Sequence, residues 1–285
     1  MHRNLIIFFT FLLILSLNIP LKAEINNKAR SLSEDMENSN KISTFKHFKK
    51  FYNNLYESIK INVLNEHRYL VFMKGLKITI LISLLSTLIG TLFGAFICYL
   101  RMQDNPLLSL MAKAYIKIIG GIPELVLLLI FYYVIFTSDI FSPVFLSVLA
   151  FGLNFAARIS EIYRTSIESV DTGQNEAGIA SGFNKIETFI YIILPQALKR
   201  MLPLYEGRLI NLIWWTSVVG YIAIQDLTMA GKIVRSQTMD SFIPFLTVGI
   251  LYMLIAWLVS SLISYIDHQI DPINKRNRLM QKIER

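Results

Sequence analysis

Five apolar runs, each close to the length needed to cross a lipid bilayer, constrain the fold of this chain most. They cover residues 78–100, 118–136, 140–157, 209–225 and 241–266 of the 285. A helix needs about 20 apolar residues to span the hydrocarbon core of a membrane. Because only 17% of the residues are charged and 54% are hydrophobic, the apolar surface is too large to face water. The sequence therefore predicts an all-α membrane protein built on a five-span helical bundle.

The two ends of the chain indicate how this bundle is oriented. Residues 1–23 place an apolar run behind a basic start, which is typical of a signal peptide or an uncleaved anchor helix. Either one would place residues 24–70 outside the cytoplasm. Basic residues in short loops and near span ends are concentrated on the opposite side of the bundle. We therefore expect segment 158–208 and the C-terminal tail, 279–285, in the cytoplasm.

Residues 45–56, inside the expected extracytoplasmic segment, alternate aromatic and lysine side chains. The aromatic residues are Phe45, Phe48, Phe51, Tyr52 and Tyr56, and the lysines are Lys46, Lys49 and Lys50. This pattern is typical of a helix that lies at a membrane surface. A solvated linker would have a similar composition, and the sequence leaves both interpretations open.

The net charge of +8 does not indicate a nucleic-acid-binding protein once the chain is placed in a membrane. Basic residues in the loops of a membrane protein set its orientation and contact anionic lipid. Cys98 is the single cysteine, which excludes a disulfide framework, and the four histidines are scattered. The sequence also has no glycine-rich phosphate-binding loop. We therefore expect no metal centre, no cofactor and no nucleic-acid partner.

The long segment between two spans, 158–208, carries the signals of two short helices. A helix-capping residue opens each of them, and the second, Asn184, is followed three residues later by Glu187. Gly182 lies between the helices, where a chain that changes direction favours a residue without a side chain. Pro195 is expected to end or kink the second helix. An amphipathic loop packed on its own bundle is the alternative that composition leaves open.

A specific motif runs through this segment. Its residues are Glu176-Ala177-Gly178, then three intervening residues and Gly182, then nine intervening residues and Ile192-Ile193-Leu194-Pro195. The motif resembles the EAA signature of the permease subunits of ABC importers, and only Gly178 departs from it, since the family has alanine there. Other stretches are similar to the polar amino-acid subfamily, namely Glu161-Ile162-Tyr163-Arg164, Gly121-Ile122-Pro123-Glu124 and Thr216-Ser217. The resemblance assigns residues 71–278 to the transmembrane domain, and we call residues 171–195 the coupling loop.

The resemblance implies a subunit of an ATP-driven importer in a bacterial inner membrane. The implied partners are a cytoplasmic ATPase dimer, an extracytoplasmic solute-binding protein, a second permease subunit (identical or different), an amino-acid substrate and membrane lipid. In that family the coupling loop docks in a groove of the ATPase. The carried-over residues are Glu176 as a polar contact, Ala177 and Gly178 as small residues that allow close docking, Gly182 as the bend, and Leu194 and Pro195. No catalytic residue is expected here, because the partner would hydrolyse ATP.

Charged and polar residues inside the spans are candidates for the translocation path, because placing them in lipid is costly. Glu124 is the one acidic or basic residue in the run 118–136. Because members that look similar here and handle basic amino acids also carry an acidic residue at this place, Glu124 is predicted to attract a cationic side chain. The alternative is an ion pair with a basic residue of a neighbouring helix, Arg158 being the first choice. Arg158, Thr216 and Ser217 complete the predicted path residues.

Three other functional classes compete with an importer subunit. A secondary transporter driven by ion gradients would show an inverted repeat or a carboxylate cluster in the spans, and neither is detectable. An intramembrane hydrolase would need a serine, zinc or paired-aspartate motif in the spans, and the sequence contains none. A regulator that keeps the permease fold without transport is not distinguishable from a permease by sequence.

Overall fold

The structure is a computed structural model and describes residues 49–50, 52–136 and 140–270. The predicted signal segment 1–23 and the tail 279–285 lie outside the described residues, so both stay predictions. The chain divides into two units, residues 1–60 and 61–285. In the first unit, residues 49–50 and 52–59 are helical, and Lys49 and Lys50 are exposed. A helix is therefore present in the aromatic and lysine-rich segment, and its location at a membrane surface stays a prediction.

The second unit is a bundle of α-helices joined by short π and 3-10 segments. The α-helices are α1 (Tyr69–Arg101), α2 (Pro106–Ile119), α3 (Glu124–Ile130), α4 (Pro143–Glu168), α5 (Thr172–Ala180), α6 (Lys185–Thr188), α7 (Leu194–Trp215), α8 (Leu227–Thr238) and α9 (Phe242–Ile270). The π segments are Lys60–Leu64, Phe131–Ile135 and Phe189–Ile193, and the 3-10 segments are Asn65–His67 and Thr216–Ile222. No strand occurs in the part of the chain that the structure describes. The prediction of an all-α fold is confirmed.

Three helices, α1, α4 and α9, are long and apolar enough to cross a membrane on their own. Two bent pairs also qualify when each pair is taken as one span. The first joins α2 to α3 and its π extension with a bend of 99°, and the second joins Lys185–Ile222 to α8 with a bend of 54°. Among the described residues, the predicted number of five spans is reached when both bent pairs are counted.

The two bent pairs correct the predicted span bounds. The run 118–136 is not one straight helix, because α2 ends at Ile119 and α3 begins only after Pro123. The run 209–225 is likewise the end of α7 followed by a 3-10 segment. Apolar composition measures how a segment prefers lipid to water, and it is insensitive to a break whose polar groups are satisfied inside the protein.

The core of the bundle forms where α1 crosses α4. Ser86, Gly90 and Gly94 of α1 are buried at intervals of four residues, and the Ser86 hydroxyl donates to the carbonyl oxygen of Val148 at 3.2 Å. Small residues at this spacing allow two helix backbones to approach closely in a membrane. Ser86, Gly90 and Gly94 therefore lie on the face of α1 that packs against α4. The buried residues of α4 include Phe151 and Phe155.

Candidate functional site

The first half of the coupling loop is the short helix α5. Its N-cap residue is Asp171, whose side chain accepts from the Gly173 N–H at 2.7 Å. Glu176 and Ala177 are exposed on the surface of this helix. The sequence prediction of a helix in this half of the loop is confirmed, and the exposed Glu176 is accessible to a partner.

Gly182 ends α5 in a left-handed backbone conformation with φ of +89°. The Gly182 N–H donates to the Ile179 carbonyl at 3.0 Å, and the Phe183 N–H donates to the Gly178 carbonyl at 3.2 Å. These two bonds are those of a Schellman motif, in which glycine is favoured because the left-handed conformation strains residues with a side chain. The predicted bend at Gly182 is confirmed.

The second half of the loop begins with a capping box. The Asn184 side chain accepts from the Glu187 N–H at 2.9 Å, and the Glu187 carboxylate accepts from the Asn184 N–H at 2.9 Å. This confirms the helix start predicted from the spacing of these two residues. Pro195, however, does not end the second element. The chain remains helical through the π segment Phe189–Ile193 and on into α7, so Pro195 lies within a continuous helical run.

Gly178 is buried inside the coupling loop, where α5 packs on α6. A Cβ atom at this position would lie 2.5 Å from Thr188 Cγ2 and 2.8 Å from Thr188 Oγ1. The absence of a side chain therefore permits the two short helices to touch. This differs from the role expected from the sequence, in which Gly178 is a small residue on the surface that docks the partner.

The loop is fastened at both ends to the long helices. The Gln196 amide of α7 donates to the Gln174 side-chain oxygen of α5 at 3.1 Å, and Arg200 donates to the carbonyl oxygen of Ser169. Leu194 is half-buried at the start of α7. These contacts connect the end of α4, helix α5 and the start of α7, so a force on the loop is passed to both long helices.

An apolar face of the loop remains uncovered by the bundle. Ile186 is 70% exposed and Tyr191 is 68% exposed. The other exposed apolar residues of this face are Ile179, Phe183, Phe189 and Ile190. The alternative in which this amphipathic loop packs its apolar residues on its own bundle does not agree with their exposure, because a packed face would be buried.

The second site lies at the break between α2 and α3, and we call Glu124, Asn154, Arg158 and Arg208 the membrane charge cluster. Glu124 is buried at the first turn of α3, and its carboxylate accepts from Arg208 Nη2 of α7 at 2.9 Å. The ion-pair alternative for Glu124 therefore has a partner in the structure. That partner is Arg208 rather than Arg158, which the sequence suggested first.

Asn154 of α4 supplies hydrogen-bond donors to the break between α2 and α3. Its side-chain NH2 donates to the carbonyl oxygens of Ile119 at 3.2 Å and Ile122 at 3.4 Å, and its oxygen accepts from Arg208 at 3.3 Å. Carbonyl groups freed at a helix break are costly in a membrane unless the protein supplies donors. Asn154 supplies them, and the same side chain orients Arg208 toward Glu124.

Arg158 lies one turn further along α4 and contributes the second guanidinium of the cluster. Its Nε atom is buried without a hydrogen-bond partner among the described residues, and its charge repels that of Arg208. The nearest acid along the helix, Glu161, is already paired with Arg101 and Arg164. The structure thus places Arg158 one turn from Asn154 on α4, whose side chain contacts Arg208, and shows no ion pair of Arg158 among the described residues.

Thr216 and Ser217, the remaining predicted path residues, lie in the 3-10 segment after α7. Thr216 is buried and its hydroxyl donates to the carbonyl oxygen of Ile213 at 2.7 Å, while Ser217 is half-buried. A hydroxyl bonded to its own helix is held inside the bundle. The contacts of Thr216 therefore resemble those of a packing residue.

Comparison with known proteins identifies the family to which this helical bundle belongs. A family described as "Binding-protein-dependent transport system inner membrane component" matches residues 86–272. The chain belongs to this family. The probable amino-acid ABC transporter permease protein YckA of Bacillus subtilis (strain 168) is 37% identical to the chain over 191 residues, which are 67% of the chain and 83% of YckA.

Two further comparisons agree with this membership of the permease family. A protein of Rickettsia typhi, provisionally named the glutamine transport system permease protein GlnP, is 31% identical over 202 residues, 70% of the chain and 93% of GlnP. The crystal structure of an amino acid ABC transporter with histidines matches 70% of the chain and 94% of its own chain, with a TM-score of 0.64 and 32% identity. The resemblance seen in the sequence is confirmed, and the chain is a multi-pass membrane transport subunit rather than an enzyme.

Sequence reasoning missed two functional candidates of this permease, Arg208 and Asp226. Arg208 directly precedes the apolar run 209–225, so it was counted with the cytoplasmic loop. In the structure it lies well inside α7, 14 residues beyond Leu194. Nothing in the sequence near Arg208 signals this, since Pro203, five residues earlier, is of a type that disfavours a helix interior and yet lies inside α7.

Asp226 is a fully buried carboxylate at the N-cap of α8. It accepts from the Met229 N–H at 2.9 Å and the Thr228 N–H at 3.0 Å, and the Tyr252 hydroxyl of α9 lies 3.3 Å away. The neighbouring Leu227 N–H donates to the Thr79 hydroxyl of α1 at 3.2 Å. Asp226 therefore joins three helices of the permease. In the described part of the chain, no group of three or more His, Cys, Asp or Glu residues could hold a metal ion.

Proposed function

We propose that this chain is the permease subunit of an ATP-driven importer for amino acids and that the coupling loop docks on a cytoplasmic ATPase. The observation that carries the proposal is the exposed apolar face of the loop on a rigid, doubly fastened pair of helices. The names of YckA, of GlnP and of the solved amino acid transporter support the substrate class. Family membership supports the partnership with a solute-binding protein.

In this proposal the ATPase closes on nucleotide and moves the loop as a rigid body. The apolar face around Ile186 and Tyr191 enters the ATPase groove, and Glu176 and Ala177 lie on the adjoining helix α5. The bend at Gly182 and the contact of Gly178 with Thr188 hold the two helices at a fixed angle. Leu194 and Pro195 begin α7, which carries the motion into the membrane. The loop and the C-terminus are cytoplasmic in this arrangement.

The translocation path is proposed to run past the membrane charge cluster, between this chain and a second permease subunit. Glu124 lies at the break between α2 and α3, and Arg158 lies one turn of α4 beyond Asn154, whose side chain donates to the carbonyl groups of that break. Thr216 and Ser217 contribute the start of the 3-10 segment beyond α7. A binding protein delivers the amino acid from outside, and lipid surrounds the remaining helix surface.

The preference for basic amino acids predicted from Glu124 is not supported by the contacts of its carboxylate. A carboxylate attracts a cationic side chain when its own charge is unpaired, and Glu124 is ion-paired with Arg208 at 2.9 Å. The relatives also differ, since one is named for glutamine and the other was solved with histidines. We therefore propose amino acids as the substrate class without assigning basic ones.

Cysteine cross-linking tests the docking proposal. Ile186→Cys places a thiol on the exposed apolar face, and the native Cys98 is buried and reacts slowly. We expect a cross-link between this introduced thiol and single cysteines placed along the groove of the cognate ATPase, after co-expression in membranes.

The matched control is Phe242→Cys, because Phe242 is 66% exposed but begins α9 at the opposite end of the bundle. No cross-link to the ATPase is expected from this position. Equal cross-linking from both positions, or none from Ile186→Cys in a membrane that contains both proteins, would contradict the docking proposal. Failure of the two proteins to co-purify would favour an ion-coupled transporter.

A further inference from the structure

The membrane charge cluster contains more positive charge than it neutralises. Glu124 and Arg208 form one ion pair at 2.9 Å, which is closed on its other side by Asn154. Arg158 adds a second guanidinium that repels Arg208. The acid closest to Arg158 along α4, Glu161, is paired with Arg101 and Arg164. The cluster therefore has a net charge of about +1, counted from its own ionised groups.

A guanidinium whose charge is not balanced is unfavourable inside a membrane bundle unless a ligand neutralises that charge. Arg158 also has a buried Nε–H without an acceptor among the described residues. A guanidinium presents parallel N–H groups that match the two oxygens of a carboxylate. A cationic group at the same place would meet two positive charges against one negative charge, and it would be repelled.

We propose that the membrane charge cluster receives the carboxylate of the transported amino acid at Arg158, and that it favours amino acids with no net positive charge. This deepens the proposed function and rests on it. Acidic amino acids bring a second carboxylate and are favoured most, neutral ones come next, and cationic ones are excluded. In this role Glu124 positions Arg208 and does not bind the substrate cation.

Variants that change the net charge of the membrane charge cluster by one unit test the proposal. Arg158→Gln lowers the net charge to zero, and Glu124→Gln raises it to +2. The probes are glutamate, glutamine and arginine, titrated into the detergent-purified full-length permease without its binding protein. Saturation-transfer NMR measures the weak binding. We expect the wild type to bind glutamate on the order of tenfold more tightly than arginine, and each unit of cluster charge to change that ratio on the order of tenfold.

Two further variants separate charge from folding. Lys113→Gln removes one exposed charge from α2 and is expected to leave the ratio unchanged. The double variant Glu124→Gln/Arg208→Gln removes the ion pair but leaves the net charge at +1, so it is expected to keep the preference for glutamate. Thermal unfolding of each variant identifies any that fail to fold.

Arginine that binds as tightly as glutamate to the wild type would overturn the proposal. So would a ratio of glutamate to arginine affinity that does not fall in Arg158→Gln, or one that does not rise in Glu124→Gln. If the ratio of glutamate to arginine affinity is the same in all charge variants while Ile186→Cys still cross-links to the ATPase, this proposal alone is refuted. Loss of the cross-link refutes the docking that the proposed function requires.

Discussion

The contact between Gly178 and Thr188 gives the sharpest prediction about the coupling loop. In Gly178→Ala the new Cβ would lie 2.5 Å from Thr188 Cγ2 and 3.0 Å from Ile192 Cδ1. Carbon atoms in contact are about 3.5–4.0 Å apart, so α5 and α6 must separate by about 1 Å. The end of Ile192 can rotate away, but Thr188 is fully buried and β-branched. Overpacking of this kind costs about 1–3 kcal/mol.

That cost lowers the equilibrium ratio of the native loop to its separated forms by about fivefold to a hundredfold, because each 1.4 kcal/mol corresponds to a factor of ten. We expect Gly178→Ala to insert normally and to lose most of the ATPase activity that depends on the permease. Thr188→Ala removes both the methyl group that clashes and a hydroxyl that has no hydrogen-bond partner among the described residues. This single change is expected to cost little, and the double variant Gly178→Ala/Thr188→Ala is expected to recover most of the activity.

The assay is ATP hydrolysis by the assembled transporter in proteoliposomes, normalised to the amount of inserted permease. A double-mutant cycle isolates the interaction between two residues when each single change removes only that interaction. If the losses in Gly178→Ala and Thr188→Ala simply add, the two helices do not depend on this contact. The reasoning about the loop would then be refuted.

Three further predictions concern other parts of the chain. Gly182→Val should stay inserted in the membrane but uncouple transport from ATP hydrolysis. Gly182→Asn should keep most of the activity, since asparagine tolerates the left-handed conformation. Equal amino-acid uptake by both variants would contradict this prediction. Asp226→Ala should lower the free energy of unfolding by about 2 kcal/mol or more, and the thermal midpoint with it, through the loss of two N-cap bonds. Asp226→Asn should retain most of the stability, and an unchanged midpoint in Asp226→Ala would show that the cap is not needed. Deletion of residues 24–60 should leave assembly and uptake intact if the segment is a dispensable tether, and uptake assays on intact cells decide this.

Local signals in the sequence predicted the coupling loop well. Asn184 and Glu187 form a capping box because their spacing fits the first turn of a helix, and Gly182 adopts the left-handed conformation that ends one. These interactions depend on residues within a few positions of one another. They are therefore visible in the order of the residues. The apolar runs predicted the membrane helices for the same reason.

Interactions across the bundle could not be predicted in this way. The pairing of Glu124 with Arg208 joins residues 84 positions apart, and it depends on the bend of 99° between α2 and α3. The sequence favours Arg158 as the basic partner on a neighbouring helix, because Arg208 lies outside the apolar run 209–225. Gly178 was likewise assigned to a partner surface, since its contact with Thr188 forms only after the loop has folded.

Amino-acid uptake into proteoliposomes tests the central claim most directly. The vesicles contain the full-length permease, its cognate ATPase and binding protein, with or without ATP inside, and a labelled mixture of amino acids outside. Ile186→Glu places a charge on the exposed apolar face of the coupling loop and is compared with the wild type. The account predicts uptake that requires ATP and falls below about a tenth in Ile186→Glu. Uptake that an ion gradient drives without ATP, or that is equal in the variant and the wild type, would contradict it.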